Sequence, residues 1–353
     1  MMKNTFPRPL AAALATCLLT ALTPPSLAAP PVASFADEPE AIAFARDLEQ
    51  RHGFNADTLL DQFAQTHPNA KVLQLIKPPT SPVQRSWERY RPRFLNDRRI
   101  DGGVRFWQEN EGQLIKASAL YGVPPEIIVA IIGVETEYGR NTGGFRVLEA
   151  LATLAFKYPP RAEFFRTELE QFLLLARENG LDPLAVKGSF AGAIGIPQFM
   201  PGSQRRYAVD FDGDQRVDLA NSVDDAIGSV ARFLEQHGWQ AGQPIAVAAA
   251  ANGSPDPALI EAGIHPSLKV ADLAAKGVFA KADPQATAAL IDLVSPDKET
   301  EYWLGFDNFY VITRYNRSSF YAMSVFQLGE EIRRRLCEQL PATAANRERY
   351  CRA

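Results

Sequence analysis

Between Glu40 and Lys77, apolar Phe44, Leu48, Leu59, Leu60 and Phe63 recur at three- and four-residue spacing, with Gly53 and Pro68 as breaks. That period predicts helices. Pro78, Pro79 and Pro82 mark a loop, and helical patterning returns over 86–95 and 104–121. Pro124-Pro125-Glu126 then reads as a helix start, because proline is tolerated in the first turn. Ile127 to Val134 is almost entirely apolar, which predicts a helix buried on all sides and ended by Gly139. Further helices are expected over 147–154, 161–179, 223–237 and 319–337. From Gln243 to Phe306 the character changes. Runs at 244–250, 288–294 and 301–305, with a fourth at 309–313, have strand-like composition and predict a small antiparallel sheet. The expected class is mainly α (α+β), and no internal repeat is visible.

Before this patterned region lies a segment of another kind. Lys3 and Arg8 precede an apolar run from Leu10 to Leu22, and Pro24-Pro25-Ser26-Leu27-Ala28 follows. Small residues at Ser26 and Ala28 suit cleavage after Ala28, so 1–28 is read as a signal peptide and the mature chain as periplasmic. The run is short for a membrane span. The alternative is an outer-membrane lipoprotein acylated at Cys17, for which Thr16 is a poor preceding residue. Removing the signal leaves Cys337 and Cys351, and an even remainder in an exported chain suggests a disulfide. Two unpaired thiols are the other reading.

Composition adds limits. The chain has 353 residues, 46% of them apolar and 22% charged, with a formal net charge of -4. At this length two or three subdomains are expected rather than one core. The mild acidic balance implies no domain-scale basic face, so no nucleic-acid partner is expected.

One ionisable residue stands out. Glu135 falls on the same helix stripe as Ile128, Ile131 and Ile132. A carboxyl on an apolar stripe is costly to ionise, so its pKa should rise and it can hold a proton near neutrality. A general acid for a glycosidic oxygen needs that property. The alternative is a helix-terminal Glu that reaches solvent or pairs with Arg140 or Arg146. Glu137, two positions on, faces elsewhere and reads as structural.

The wording around Glu135 carries more than its period. Gly133-Val-Glu-Thr-Glu-Tyr-Gly-Arg-Asn-Thr-Gly-Gly-Phe-Arg146 resembles the catalytic signature of the MltB-type lytic murein transglycosylases. Lys187-Gly-Ser-Phe-Ala-Gly-Ala-Ile-Gly-Ile-Pro-Gln-Phe-Met-Pro201 and Asp307-Asn-Phe-Tyr-Val-Ile-Thr-Arg-Tyr-Asn316 resemble two more stretches of the same family. The resemblance implies a lysozyme-like core with an added helical domain and a small antiparallel β domain. It implies non-hydrolytic cleavage of the β-1,4 bond between N-acetylmuramic acid and N-acetylglucosamine in peptidoglycan. The matching Glu135 acts first as acid on the leaving oxygen, then as base on the muramoyl C6 hydroxyl, closing a 1,6-anhydro ring. Ser189 and Gln198 would bond the sugars, Tyr315, Asn316 and Tyr321 would line the cleft, and Tyr90 and Arg161 would touch substrate. Pro160 stands where the family often has a second basic residue. Gly188, Gly192 and Gly195 suggest close backbone approach.

With that implication the domain plan is a helical region at 29–84, a catalytic core at 85–240, a β domain at 241–306, and a return to the core with a tail at 307–353. Glycan strands are the expected partner. Cell-wall synthesis or division proteins are further partners that the sequence leaves unnamed. No organic cofactor is expected.

Asp210-Phe-Asp-Gly-Asp-Gln-Arg-Val-Asp218 is a second constellation. Alternate Asp residues can converge on a hard cation, and the run resembles the start of an EF-hand loop. Gln215 occupies the usual glycine position and Asn221 the place of the bidentate Glu. The family's longer loop supplies Asp224 as the closing carboxylate. The expected ligands of a structural Ca2+ are then Asp210, Asp212, Asp214, the Arg216 carbonyl and Asp224; the alternative is a solvated acidic turn. Against the transglycosylase stand two other readings, a muramidase that hydrolyses the same bond and a non-catalytic peptidoglycan-binding protein.

Overall fold

The computed structural model describes residue 1 and residues 33–78, 84–296, 298–341, 343 and 350–351. Residues 2–28 of the expected signal peptide, Cys17 included, lie outside the described residues, as do Pro79 and Pro82 of the predicted loop. Helices α1 (Pro39–His52), α2 (Ala56–Phe63) and α3 (Ala70–Ile76) form where the period predicts them. Gly53 closes α1 with φ 65°. Asn55 and Asn69 cap α2 and α3 by accepting the N–H of Thr58 at 2.7 Å and of Val72 at 3.1 Å.

After α4 (Trp87–Tyr90), the single helix predicted over 104–121 is two: α5 (Asp97–Glu109) and α6 (Glu111–Tyr121). Asn96 caps α5 earlier than the apolar pattern begins, and Asn110 ends it with its side-chain amide on the Phe106 carbonyl at 2.7 Å. Helix α7 (Pro125–Thr136) follows, with Ile127 to Val134 buried. The two-residue strands β1 (Phe145–Arg146) and β2 (Lys187–Gly188) pair antiparallel around α8 (Val147–Lys157) and α9 (Ala162–Glu178). Then come α10 (Pro201–Tyr207), which the sequence pattern missed, and α11 (Val223–Gln236).

The sheet comprises β3 (Ala246–Ala251), β4 (Leu268–Lys269), β5 (Val278–Ala280), β6 (Thr287–Ser295) and β7 (Lys298–Gly305) in the order β4-β6-β7-β3-β5, every pair antiparallel. Helices α12 (Pro257–Glu261) and α13 (Val270–Ala275) lie between its strands in sequence. Strand β6 is buried on both faces. Ala289, Ile291 and Leu293 join the helical core, while Ala288 and Leu290 pack with Leu259 and Leu273 of α12 and α13. That two-sided burial explains its unbroken apolar run.

The fourth predicted strand is wrong. Residues 309–313 fall in and just after α14 (Asp307–Ile312). Both edges of β7 are already taken by β6 and β3, so the chain leaving it has no edge to join. Asn308, fully buried, anchors the turn instead: its side chain accepts the Gln240 N–H at 2.8 Å and donates to the Gln240 and Gln243 carbonyls at 2.8 and 2.9 Å. The chain closes with α15 (Ser319–Gln339).

Apolar residues gather in separate cores. Phe35, Leu48, Phe63 and Val72 of the N-terminal helices pack with Leu151, Phe156 and Phe172 of α8 and α9. The larger core joins α5, α6, α7, α11, α14 and α15. Cys337 and Cys351 form the expected disulfide, with Cα atoms 5.5 Å apart. It holds Tyr350 edge-on to Trp107 at 6.2 Å between ring centroids. Among the described residues no single helix is long and apolar enough to cross a membrane.

Candidate active site

Helix α7 is the buried strut of the larger core, and Glu135 lies in its last turn, half-buried. Helix α15 packs on α7, and its capping residue Ser318 accepts the Tyr321 N–H at 3.3 Å. That fixes the first turn of α15 so that the Tyr321 hydroxyl meets Oε1 of Glu135 at 2.5 Å. Burial pushes the Glu135 carboxyl up to about 7, with the Tyr321 hydrogen bond pulling the other way. Arg140 and Arg146 do not reach it. Arg140 faces Glu137, and Arg146 donates to the Gln65 carbonyl. Among the described residues Glu135 has no ion-pair partner. Tyr315 and Tyr90 complete the surroundings: burial and the nearby Glu135 charge raise the pKa of both phenols.

The chain after Glu135 takes an unusual path. Glu137 and Tyr138 have φ of 52° and 62°, and Gly139 follows at 82°. Left-handed backbone costs a non-glycine residue about 1–3 kcal/mol and persists only where the surroundings enforce it. Here Thr136 accepts the Gly139 N–H at 2.9 Å and donates to the Ile196 carbonyl at 2.8 Å. Glu137 pairs with Arg98 and Arg140. Tyr138 folds back along α7 and donates to the Arg99 carbonyl at 2.7 Å. Gly133 leaves the space for that ring, since a Cβ there would sit 2.5 Å from the Tyr138 hydroxyl oxygen. The sequence reading missed Tyr138 and Arg99 as the clamp on the turn after Glu135; the glycine two residues before Glu135 was the available signal.

The glycine-rich stretch runs alongside. Ser189 accepts the N–H groups of Ala191 at 3.3 Å and Ala193 at 3.0 Å, so its oxygen organises the loop and its proton remains to be donated. Gly195 has φ 74°, and a Cβ there would lie 2.4 Å from the Leu219 carbonyl oxygen. Gln198 donates both amide hydrogens, to Thr142 at 3.1 Å and Gly195 at 2.9 Å, which leaves Oε1 free to accept. Between them, Ile196 receives Thr136, and Pro197 receives the Tyr315 hydroxyl at 2.8 Å. The loop is thus stitched to the Glu135 turn and to Tyr315.

Glu135, Tyr321, Tyr315, Tyr90 and Gln198 therefore gather in one region. Tyr321, expected to line the cleft, is buried with its hydroxyl bonded to the carboxyl. Asn316 is exposed. Arg161, at the start of α9, is exposed and lies over the Phe164 ring at 4.3 Å, and no described contact joins it to the Glu135 group.

In the acidic loop, Asp210, Asp212 and Asp214 each bring a carboxylate oxygen within 4.8 Å of the others. Such hard oxygens fit a calcium-sized cation. Asp210 accepts the N–H of Gly213 at 2.6 Å and of Gln215 at 2.8 Å. Gln215 takes φ 70°, so the departure from glycine is accommodated in the left-handed conformation. Asp224, the expected closing carboxylate, sits in the first turn of α11 and accepts from Gln113 of α6 at 2.6 Å. Asp225, which the sequence reading passed over, ties the loop down from beneath: buried, it accepts the N–H of Phe211 at 2.7 Å and of Asp218 at 2.8 Å.

A carboxyl raised by burial to about 7, at the end of a core helix and beside tyrosines and a glycine-rich loop, has the character of a candidate general acid. The chain belongs to the lytic transglycosylases: residues 36–330 match the family model of the transglycosylase SLT domain. It is 45% identical over 311 residues to the membrane-bound lytic murein transglycosylase B of Escherichia coli (strain K12), covering 84% of each chain. The solved structure of the Escherichia coli lytic transglycosylase Slt35 in complex with calcium is 43% identical, with a TM-score of 0.77 over 84% of this chain and 94% of that one. SltB3 from Pseudomonas aeruginosa in complex with NAG-anhNAM-pentapeptide is 29% identical, with a TM-score of 0.73 over 83% of this chain and 78% of that one. The protein is a peptidoglycan-cleaving enzyme of the MltB type with a lysozyme-like, mainly α fold.

Proposed function

We propose that the enzyme cuts the β-1,4 bond between N-acetylmuramic acid and N-acetylglucosamine without water, leaving 1,6-anhydromuramoyl ends. Glu135 gives its proton to the bridging oxygen as the bond from the muramoyl C1 breaks. The resulting carboxylate, steadied by the Tyr321 hydroxyl, then takes the proton of the C6 hydroxyl as that oxygen bonds to C1. The cycle ends with Glu135 protonated again. A pKa of about 7 suits both halves, since neither form is far out of reach at neutral pH.

The observation that carries this reading is the isolation of Glu135. Burial and Tyr321 are the influences on its titration, and no second carboxylate is among them. A hydrolase working on this bond uses a paired carboxylate to activate water or form a covalent intermediate. A cyclising enzyme takes its nucleophile from the substrate. The anhydro sugar held by SltB3 is the product this chemistry would leave.

Ser189, Gln198, Tyr315, Asn316, Tyr90 and Arg161 are proposed to hold the sugars. Gln198 Oε1 and the Ser189 proton are the groups their loop leaves uncommitted. Asp210, Asp212 and Asp214, with the Arg216 carbonyl and Asp224, are proposed to hold a structural calcium ion, in line with the calcium complex of Slt35. The N-terminal pattern supports export to the periplasm, where the substrate is.

Digestion of purified sacculi tests the proposal. Wild type should release muropeptides one water lighter than reducing ends, and Glu135→Gln should release none while remaining folded. Reducing ends throughout would make it a muramidase; turnover by the Gln variant would remove Glu135 from the mechanism.

A further inference from the structure

One residue before Tyr315, Arg314 helps to line a cavity of about 570 Å³ that the glycan chemistry leaves unused. Helices α9, α10 and α11 supply the rest of the wall, including Glu168, Arg206, Tyr207, Phe233 and His237. Phe233 joins the cavity to the site, since its ring centroid lies 4.8 Å from that of Tyr315. The cavity therefore adjoins the residues around Glu135 but presents a different chemistry.

Its charges are unbalanced. Arg205, also in the wall, is answered by Glu178 at 2.7 Å. Arg206 and Arg314 have no ion-pair partner among the described residues. Their guanidinium groups lie 5.9 Å from the Tyr207 ring centroid and 5.7 Å from that of Tyr310. His237 offers no further positive charge. Its Nδ1 is 2.6 Å from the Phe233 carbonyl, and burial, with smaller contributions from Arg314 and Arg206, holds the imidazole below its usual range. Glu168, on another wall, accepts the Gly202 N–H at 2.9 Å. Two uncompensated guanidinium groups, aromatic walls and one carboxyl match a ligand with a carboxylate, an aliphatic body and an amine.

We propose that this cavity binds the peptide stem of the substrate, with Arg206 and Arg314 gripping a free peptide carboxylate. The assignment rests on the reading of the chain as a peptidoglycan-cutting enzyme, and it adds a peptide site to the glycan site. Guanidinium pairs carboxylate through parallel hydrogen bonds, so the two arginines select an acid over its amide. The Tyr207 and Phe233 rings take the aliphatic part, and Glu168 suits the ammonium of a diamino acid.

Calorimetric titration of the Glu135→Gln protein with free L-Ala-γ-D-Glu-diaminopimelyl-D-Ala tetrapeptide tests the cavity apart from catalysis. Saturable binding is expected. Replacing Arg206 and Arg314 together by Ala should weaken it by about tenfold or more, the scale of a lost charge-assisted contact. Amidating the peptide's free carboxyl groups should weaken it similarly, and the double Lys variant should recover part of the loss. With active enzyme, the ratio of kcat/KM on peptide-bearing strands to that on amidase-stripped strands should fall in the double Ala variant. No binding at millimolar peptide, equal binding of acid and amide, or indifference to the double substitution would overturn the proposal. If wild type leaves stripped and intact strands alike uncut, the glycan reading fails instead, while the titration still judges the cavity.

Discussion

The Tyr321 hydroxyl lies 2.5 Å from Oε1 of Glu135, although the two residues are 186 positions apart in the chain. The contact sets two influences against each other. Burial favours the protonated carboxyl, and the donated hydrogen bond favours the carboxylate. Tyr321→Phe removes the second. The Glu135 pKa should then climb above about 7, and the alkaline limb of the kcat/KM profile should move to higher pH. At the same time kcat should fall, because the carboxylate proposed to act as base has lost its donor. A profile that keeps its alkaline limb in place would show that Tyr321 does not tune the acid.

The same carboxyl makes stability depend on pH. Its pKa is about 7 in the folded protein against 4.5 as the ordinary value. A group raised on folding contributes stability that is complete below the ordinary value and is lost as pH rises through the folded one. Above neutrality the native state holds a buried anion, at a cost of up to about 3 kcal/mol. Glu135→Gln should therefore be more stable than wild type at pH 8, with the difference vanishing near pH 4. Urea unfolding at both values measures it, and a difference that does not change with pH would refute the linkage.

How much of this was legible in sequence depends on how local the cause is. The unbroken apolar run Ile127 to Val134 announces a buried helix, and a carboxyl on its stripe announces a raised pKa, because both follow from neighbours a few positions away. The 309–313 segment has the composition of a strand and becomes helix because β7 has no free edge, a fact of sheet order that composition does not carry. Asp224 and Asp225 are adjacent and chemically alike. Their direction around α11 sends one to Gln113 and the other under the loop, and helix phase relative to α6 is a tertiary property. The role of Tyr321 was readable only as a family position, and its bond to Glu135 required the packing of α15 on α7.

Gly133 tests the clamp behind the Glu135 turn. A methyl group there would lie 2.5 Å from the Tyr138 hydroxyl oxygen and 2.7 Å from the adjoining ring carbon. Gly133→Ala must displace Tyr138, break its 2.7 Å bond to the Arg99 carbonyl and relax the left-handed turn. Overpacking of this kind costs about 1–3 kcal/mol. Since Glu135 lies between the methyl group and that turn in sequence, kcat should fall further than the stability loss alone accounts for at a temperature where the variant is folded. Unchanged kcat with reduced stability would leave Tyr138 a packing residue with no hold on Glu135.

The acidic loop offers a test of whether the proposed calcium is structural or catalytic. Asp210, Asp212 and Asp214 hold oxygens within 4.8 Å of one another, and like charges this close repel unless a cation lies among them. Calcium should raise the melting temperature and a chelator should reverse the rise. At a hundredfold excess over Kd, an ion that binds only the folded state stabilises by about 2.7 kcal/mol. Asp212→Ala should abolish that response, as it removes one of the three converging ligands. Among the described residues, no acidic residue of the loop bonds to Glu135, and the link between them runs only through the Leu219 carbonyl, Ile196 and Thr136, so kcat well below the melting temperature should be the same with calcium or chelator. A melting temperature indifferent to millimolar calcium would return the loop to a solvated turn. A kcat that collapses in chelator, with the protein still folded, would instead place the ion in the chemistry and overturn the division between the two sites.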